Sequence, residues 1–303
     1  MLKIDKVTAS LRTHVGRVRG HNEDFVASWE PSTDNERNGL GWLYIVADGV
    51  GGAEAGDVAS QMATEQTISH YVDSEQEDSA ERLLGAIQTA NDDLRQLASE
   101  RGQGGYMATT MCAALIQNGH AILANVGDSR GYFLRGGELT QITRDHSLVA
   151  QLVIEGAITA EEALTHPRRN VILSSLGPSR DPQIDLFNVE VTDGDRLLLC
   201  SDGLNRHVSD QEIAEIAQET PPEEATQTLL NLANERGGSD NISVAIVHLV
   251  MGESSGVLHP VVAIPDDEQQ MNSALPMGLW AYTALLAVIE AALILAVYMW
   301  LSV

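Results

Sequence analysis

Aspartates stand where apolar runs end, and this pattern constrains the fold more than any other feature of the chain. The segment Trp42-Leu43-Tyr44-Ile45-Val46-Ala47 runs straight into Asp48-Gly49-Val50-Gly51-Gly52. The segment Leu197-Leu198-Leu199-Cys200 leads into Ser201-Asp202-Gly203, and Asn125-Val126-Gly127-Asp128-Ser129-Arg130-Gly131 follows a third apolar run. Runs of that length without polar alternation are strands buried on both faces. An acid at the mouth of such a strand sits at the edge of a core in a fixed position. Two further acidic groups accompany them, Arg19-Gly20-His21-Asn22-Glu23-Asp24 and Gly237-Gly238-Ser239-Asp240-Asn241. Taken singly, Asp-Gly, Gly-Asp-Ser and Asp-Asn are ordinary turn dipeptides. Taken together, several carboxylates brought to one sheet edge repel each other, so that at least one resists ionisation. A divalent cation removes that penalty. Oxygen ligands without Cys or His favour Mg2+, Mn2+ or Ca2+ over zinc.

The rest of the chain supports a layered domain. Strands are expected over 7–14, 24–29, 42–47, 109–116, 120–126, 131–135, 184–191, 196–200 and 242–249. Helices are expected over 56–71, 80–99, 148–155 and 222–235, with a shorter one near 210–218. Many strands are separated by short turns, and neither βαβ repetition nor an internal repeat is evident. The expectation is an α+β domain over residues 1–250 in which helices flank two antiparallel sheets. Cys112 and Cys200 lie in apolar strand-like runs without a CxxC or Cys/His cluster, as buried reduced thiols do.

Charge narrows the partners. With 43 Asp+Glu against 18 Lys+Arg, the 303-residue chain carries a formal net charge of -25, which repels nucleic acid and anionic headgroups. Residues 251–277 read as a linker, with Gly, Ser, Pro and an acidic run at Asp266-Asp267-Glu268. Residues 279–301 are apolar except for Glu290, and as a helix would span about 34 Å. Trp280 and Tyr282 mark one end, Tyr298 and Trp300 the other, as an interfacial aromatic belt does. The expectation is a single transmembrane helix over 278–303. No Lys or Arg follows Arg236, so loop charge does not orient it. The polar N-terminus lacks a signal-like stretch, which places the large domain in the cytoplasm. Glu290 is costly at mid-membrane unless protonated or hydrogen-bonded to a partner helix.

The ordered set Arg-x-x-x-Glu-Asp, Asp-Gly-x-Gly-Gly, Gly-Asp-Ser-Arg, Ser-Asp-Gly and Asp-Asn resembles the metal-dependent serine/threonine protein phosphatases of type 2C, especially their bacterial branch. Thr143-Arg144-Asp145-His146-Ser147 and His166-Pro167-Arg168-Arg169-Asn170 add to the likeness, which covers about residues 7 to 249. The resemblance implies a four-layer α-β-β-α sandwich with a binuclear Mn2+ or Mg2+ centre. It implies that Asp48 bridges both ions, that the Gly49 carbonyl binds one, and that Asp202 and Asp240 complete the other site. Glu23 would hold metal-bound water with Asp24 close behind, Asp128 with Asp202 would form a third metal site, and Arg19 would hold the substrate phosphate. The implied reaction is attack of a hydroxide bridging two cations on phosphoserine or phosphothreonine in proteins, without a phosphoenzyme. Gly49, Gly51 and Gly52 would let the backbone approach the ions.

One position departs from the eukaryotic pattern: Val50 stands where those members have a proton-donating histidine, as an apolar residue does in bacterial members. His146 suits a structural turn and a role near the site equally. Residues 148–169 fall where family members carry a flap beside the site. A phosphorylated protein is the expected partner, a membrane-bound Ser/Thr kinase or its target in particular. The alternative is a catalytically weak phosphatase-like sensor that binds phosphoprotein and signals through its membrane helix.

Overall fold

The apolar runs bury both faces because they lie inside a stack of four layers. The computed structural model describes residues 4–51, 55–102 and 107–251, all within one unit, Met1–Ser255. In chain order the elements are β1 (Ile4–His14), β2 (Asp24–Trp29), α1 (Asp34–Gly39), β3 (Trp42–Val50), α2 (Gly56–Asp73), α3 (Ser79–Glu100), β4 (Ala108–Thr109), β5 (Met111–Gln117), β6 (His120–Val126), β7 (Arg130–Arg135) and β8 (Glu138–Gln141). There follow α4 (Leu148–Ile154), α5 (Ala160–Thr165), β9 (Asp185–Glu190), β10 (Arg196–Cys200), α6 (Asp202–Asn205), α7 (Asp210–Glu219), α8 (Pro222–Glu235) and β11 (Ile242–Met251). One sheet has the order β1-β11-β10-β7-β8 and the other β2-β3-β5-β6-β9, with β4 paired to β3. Every strand pairing is antiparallel.

Alternation along each strand sorts side chains into three cores. On β3, Leu43 and Ile45 face α2 and α3, whereas Tyr44 and Val46 face the opposite sheet. On β5, Met111, Ala113 and Leu115 join the first set and Cys112, Ala114 and Ile116 the second. On β10, Leu197 and Leu199 point between the sheets, and Leu198 and Cys200 point to α7 and α8. The period of two is present but hidden in the sequence, because both faces of each central strand are apolar. The helices show their faces openly. In α2 the buried positions Ala59, Ala63, Thr67 and Tyr71 recur every fourth residue, and α3 buries Leu83, Ile87, Ala90 and Leu94 in the same manner.

Sequence and structure differ at the small elements. The 109–116 run breaks at Thr110 into β4 and β5, and β8, α1, α5 and α6 were not expected. Their signals are local: Thr33 with Glu36 and Thr159 with Glu162 form capping boxes at α1 and α5. Gly136-Gly137 closes the β7–β8 hairpin as a two-residue turn with both φ positive, as Asn118-Gly119 closes β5–β6. The 252–277 stretch of the expected linker and the expected membrane helix lie outside the described residues. Among the described residues no helix is long and apolar enough to cross a membrane.

Leu115 is fully buried in the layer between the six-stranded sheet and its helices. Leu115→Ala is expected to cost about 2–5 kcal/mol, read as a lowered urea midpoint with unchanged slope. A loss below about 1 kcal/mol would mean that this core is loosely packed.

Candidate metal and phosphate site

The β2–β3 register sets the first pair of acids, placing Asp24 directly opposite Asp48. Like charges so placed oppose the pairing of their strands. The other acids come from joints between or beside the sheets. Asp128 lies in the turn that carries the chain from β6 in one sheet to β7 in the other, Asp202 follows β10, and Asp240 precedes β11. The sandwich thus brings all five acidic groups of the sequence to one end.

A hydrogen-bond web fixes them there. The backbone N–H of Asp48 donates to Thr110 Oγ1 at 3.0 Å, and Thr110 Oγ1 lies 2.7 Å from Ser129 Oγ, the residue after Asp128. Asp24 Oδ2 accepts from the hydroxyls of Ser201 and Ser243, each at 2.7 Å, and Ser201 immediately precedes Asp202. Glu23 is held through its backbone: its N–H donates to Asn241 Oδ1 at 2.8 Å, and its carbonyl accepts from Gly49 N at 3.1 Å and Ser60 Oγ at 2.5 Å. His146 secures the Asp128 turn. Its Nδ1 accepts from Gly127 N at 3.2 Å, which assigns the remaining ring proton to Nε2, 3.1 Å from Asp185 Oδ2. It is therefore a buried positioning residue. Arg130 and Asp145 join two sequence motifs by a forked ion pair, with an Nη2–Oδ2 distance of 2.7 Å.

Gly49 has a packing reason to lack a side chain, beside the role expected of its carbonyl. A Cβ at this position would collide with the carbonyl oxygens of Gly56 and Glu23. Its missing side chain lets the start of α2 and the Glu23 backbone close around the Asp48 turn. Gly52 lies outside the described residues.

The electrostatics match the expectation of mutual repulsion. Burial, and then the charges of Asp24, Asp202, Asp128 and Asp240, push the Asp48 carboxyl well above the usual range. Burial raises Asp24 to about 7, opposed by the two serine hydroxyls and reinforced by Asp202 and Asp240. Burial and the Asp202 charge raise Asp128 to about 7. Asp202 is raised by burial and by Asp240, against the opposing pull of Arg206. Glu23 is raised by burial, with the Arg19 charge opposing.

These residues fit divalent cations in donor chemistry: the donors are all oxygen, the charge is strongly negative, and buried Asp24 Oδ1 and Asp202 Oδ1 have no hydrogen-bond partner. As the side chains stand, no group of three or more His, Cys, Asp or Glu among the described residues could hold an ion. Arginines take up the charge instead. Arg19 donates from Nε to Asp240 Oδ1 at 2.9 Å and from Nη2 to Oδ2 at 3.0 Å. Arg206 spans Asp202 and Asp240. The donor chemistry suits divalent cations, and guanidinium groups are paired to two of the acids.

Every predicted site residue, Arg19, Glu23, Asp24, Asp48, Gly49, Asp128, Asp202 and Asp240, thus belongs to this end of the sandwich. Sequence reasoning missed Arg206 and the hydroxyl frame of Thr110, Ser129, Ser201 and Ser243. The only signal for Arg206 was its i+4 spacing from Asp202. The hydroxyl residues resemble ordinary strand and cap positions.

Fold and site together define a class: two antiparallel sheets between helices, with a carboxylate ring and an arginine at one edge. Residues 21–246 match the sequence family Protein phosphatase 2C. The serine/threonine phosphatase stp of Listeria monocytogenes is 40% identical over 245 residues, 79% of this chain and 94% of that protein. The crystal structure of the Mycobacterium tuberculosis serine/threonine phosphatase PstP/Ppp is 37% identical with a TM-score of 0.72, over 80% of this chain and 99% of that one. The PstP catalytic domain in complex with two manganese ions is 36% identical with a TM-score of 0.69, over 80% and 98% of the two chains. The chain belongs to the protein phosphatase 2C family and is a serine/threonine phosphatase.

The raised carboxyls give the metal-free protein a characteristic pH response. Asp24 and Asp128 titrate near 3.8 ordinarily and near 7 in the fold. Between those values the folded state keeps protons that the unfolded chain has lost, so stability falls as pH rises. With chelator, Tm is expected to drop steadily from about pH 5 to about pH 8, and saturating Mn2+ should flatten the curve. A flat curve with chelator would show that burial and neighbouring charge do not raise these carboxyls in the fold.

Proposed function

We propose that the chain hydrolyses phosphoserine and phosphothreonine in proteins with two divalent cations, Mn2+ or Mg2+, held by Asp48, the Gly49 carbonyl, Asp202 and Asp240. The convergence of Asp48, Asp202 and Asp240 at one buried, all-oxygen edge beside Arg19 carries this assignment. The manganese-bound PstP domain supports it by likeness. When bound, the cations neutralise the ring and acidify a water so that it can attack phosphorus in line. Asp128, with Asp202, offers a third cation position.

The protein's own groups do the rest. Arg19 is half exposed and already oriented toward the acids, so its fork can take two oxygens of the phosphate. Glu23, fixed through Asn241, Gly49 and Ser60, orients water by hydrogen bonding, with Asp24 directly behind it. Val50 is 39% exposed beside the site and has no proton to give. Val50 is therefore not the general acid for the departing alkoxide.

We also propose that 279–301 crosses the membrane once as a helix and tethers the domain to the cytoplasmic face. Its length and its aromatic ends support this. A tethered phosphatase meets substrates on the same surface, which suggests a membrane Ser/Thr kinase or its target. An acidic surface favours substrates with basic flanks. Detergent-dependent extraction of the full chain, against free solubility of a chain ending at residue 251, would support the tether; equal solubility would remove it.

Phosphate release from a phosphothreonine peptide tests the chemistry. Activity is expected with Mn2+ or Mg2+ and not with chelator. Asp48→Asn should lower kcat by a factor on the order of 100 or more with the fold intact. Metal binding without phosphate release in the wild type would transfer the assignment to the phosphoprotein-binding sensor.

A further inference from the structure

Arg206 sits at the C-terminal cap of α6, four residues after Asp202. Its Nη2 donates to Asp202 Oδ2, and its Nη1 donates to Asp240 Oδ2 at 3.1 Å. The side chain is 24% exposed, so this pairing is largely shielded from water. From the other side, Arg19 takes both oxygens of Asp240, and Asn241 N donates to Asp240 Oδ1 at 3.0 Å. Both oxygens of Asp240 and one of Asp202 are therefore engaged, and Asp202 Oδ1 is left without a partner.

A carboxylate accepts at about four lone-pair positions, and Asp240 already fills them. A guanidinium does not lose its proton in a protein, so this positive charge cannot be titrated away. A divalent ion that takes both acids must therefore displace Arg206. Of the two arginines here, Arg19 is 49% exposed and grips one acid only, whereas Arg206 is the one that spans both.

We propose that Arg206 is a built-in counter-ion of this centre, holding Asp202 and Asp240 together in the metal-free protein and giving way when a cation binds. The proposal rests on the two-cation assignment above. It means that one side chain sets two quantities in opposite directions. Arg206 stabilises the empty site, because without it Asp202 faces Asp240 with no counter-charge of its own. It also weakens cation affinity, because the ion–carboxylate bonds must first replace a charge-assisted pair.

The test is Mn2+ titration by calorimetry into the chelator-stripped full chain in detergent, with Tm measured with and without Mn2+. Wild type is compared with Arg206→Met, Arg206→Lys and Arg236→Met. Arg236 pairs with Glu212 and the His207 carbonyl, touches neither acid, and controls for simple loss of a nearby positive charge. Arg206→Met is expected to bind Mn2+ on the order of ten-fold more tightly. Its metal-free Tm should fall and its Mn2+-saturated Tm should match wild type. Arg206→Lys keeps the charge but loses the fork, so it should also gain affinity, and it serves if the Met variant does not fold. Arg236→Met should stay within about two-fold of wild type. Unchanged or weaker binding in both Arg206 variants, or an equal gain in Arg236→Met, overturns the counter-ion role while leaving the two-cation assignment standing. Wild type that binds no Mn2+ overturns both.

Discussion

Repulsion among carboxylates at one end of the sandwich is the constraint to which the rest of the structure answers. Asp24 and Asp48 face each other across a strand pair, and Asp128, Asp202 and Asp240 add their charges from three joints. Nothing in hydrophobic burial favours that arrangement. It persists because the strands that carry the acids are locked on both faces, β3 by the α2–α3 layer and the opposite sheet, β10 by that same inter-sheet core and α7–α8. A strand buried on two faces cannot shift register without moving every side chain to the wrong layer. Packing thus holds the charges together against their own repulsion, and does so more rigidly than loops could.

The protein answers the repulsion in three ways: with protons, hydroxyls and guanidinium groups. Asp24 shows the first two. It is fully enclosed, raised to about 7, and received by Ser201 and Ser243 on one oxygen only. Those serines belong to β10's end and β11, so the Asp24 carboxylate ties the second sheet to the first at the point where the acids crowd. The ring is structural on its inner side and chemical on its outer side.

Much of this was legible in the sequence, for a reason that also marks the limit. Long apolar runs announce strands, and an Asp beside Gly announces where each run stops, so β3, β6 and β10 and their acids could be placed. The long helices α2, α3 and α8 declared themselves by spacing. Elements shorter than about two turns, α1, α5 and α6, carry too few residues for a period to show and are visible only through their caps. The hydroxyl frame was illegible for another reason. Thr110 and Ser243 act on partners far along the chain, and a Thr or Ser in a strand looks the same whether or not it meets a carboxylate. Arg206 lay between these cases: its spacing from Asp202 could be read, but its second partner, 34 residues on, could not.

Asp240 explains why a site with the right chemistry has the wrong spacing for an ion. Its side chain is 16% exposed, and it is where both guanidinium groups arrive. Burial holds Asp24, Asp48 and Asp128 toward their protonated forms. Asp240 is met by Arg19 and Arg206 instead. A carboxylate so saturated cannot also accept a metal ion. The geometry of the ring is thus that of an exchange site, in which Arg19 and Arg206 occupy the Asp240 oxygens that a cation would need. Arg19 must leave Asp240 to reach a phosphate, and Arg206 must leave it to admit a cation. Both departures draw on Oδ2, the oxygen that the two guanidinium groups share, so the arrival of one positive partner at Asp240 loosens the hold on the others.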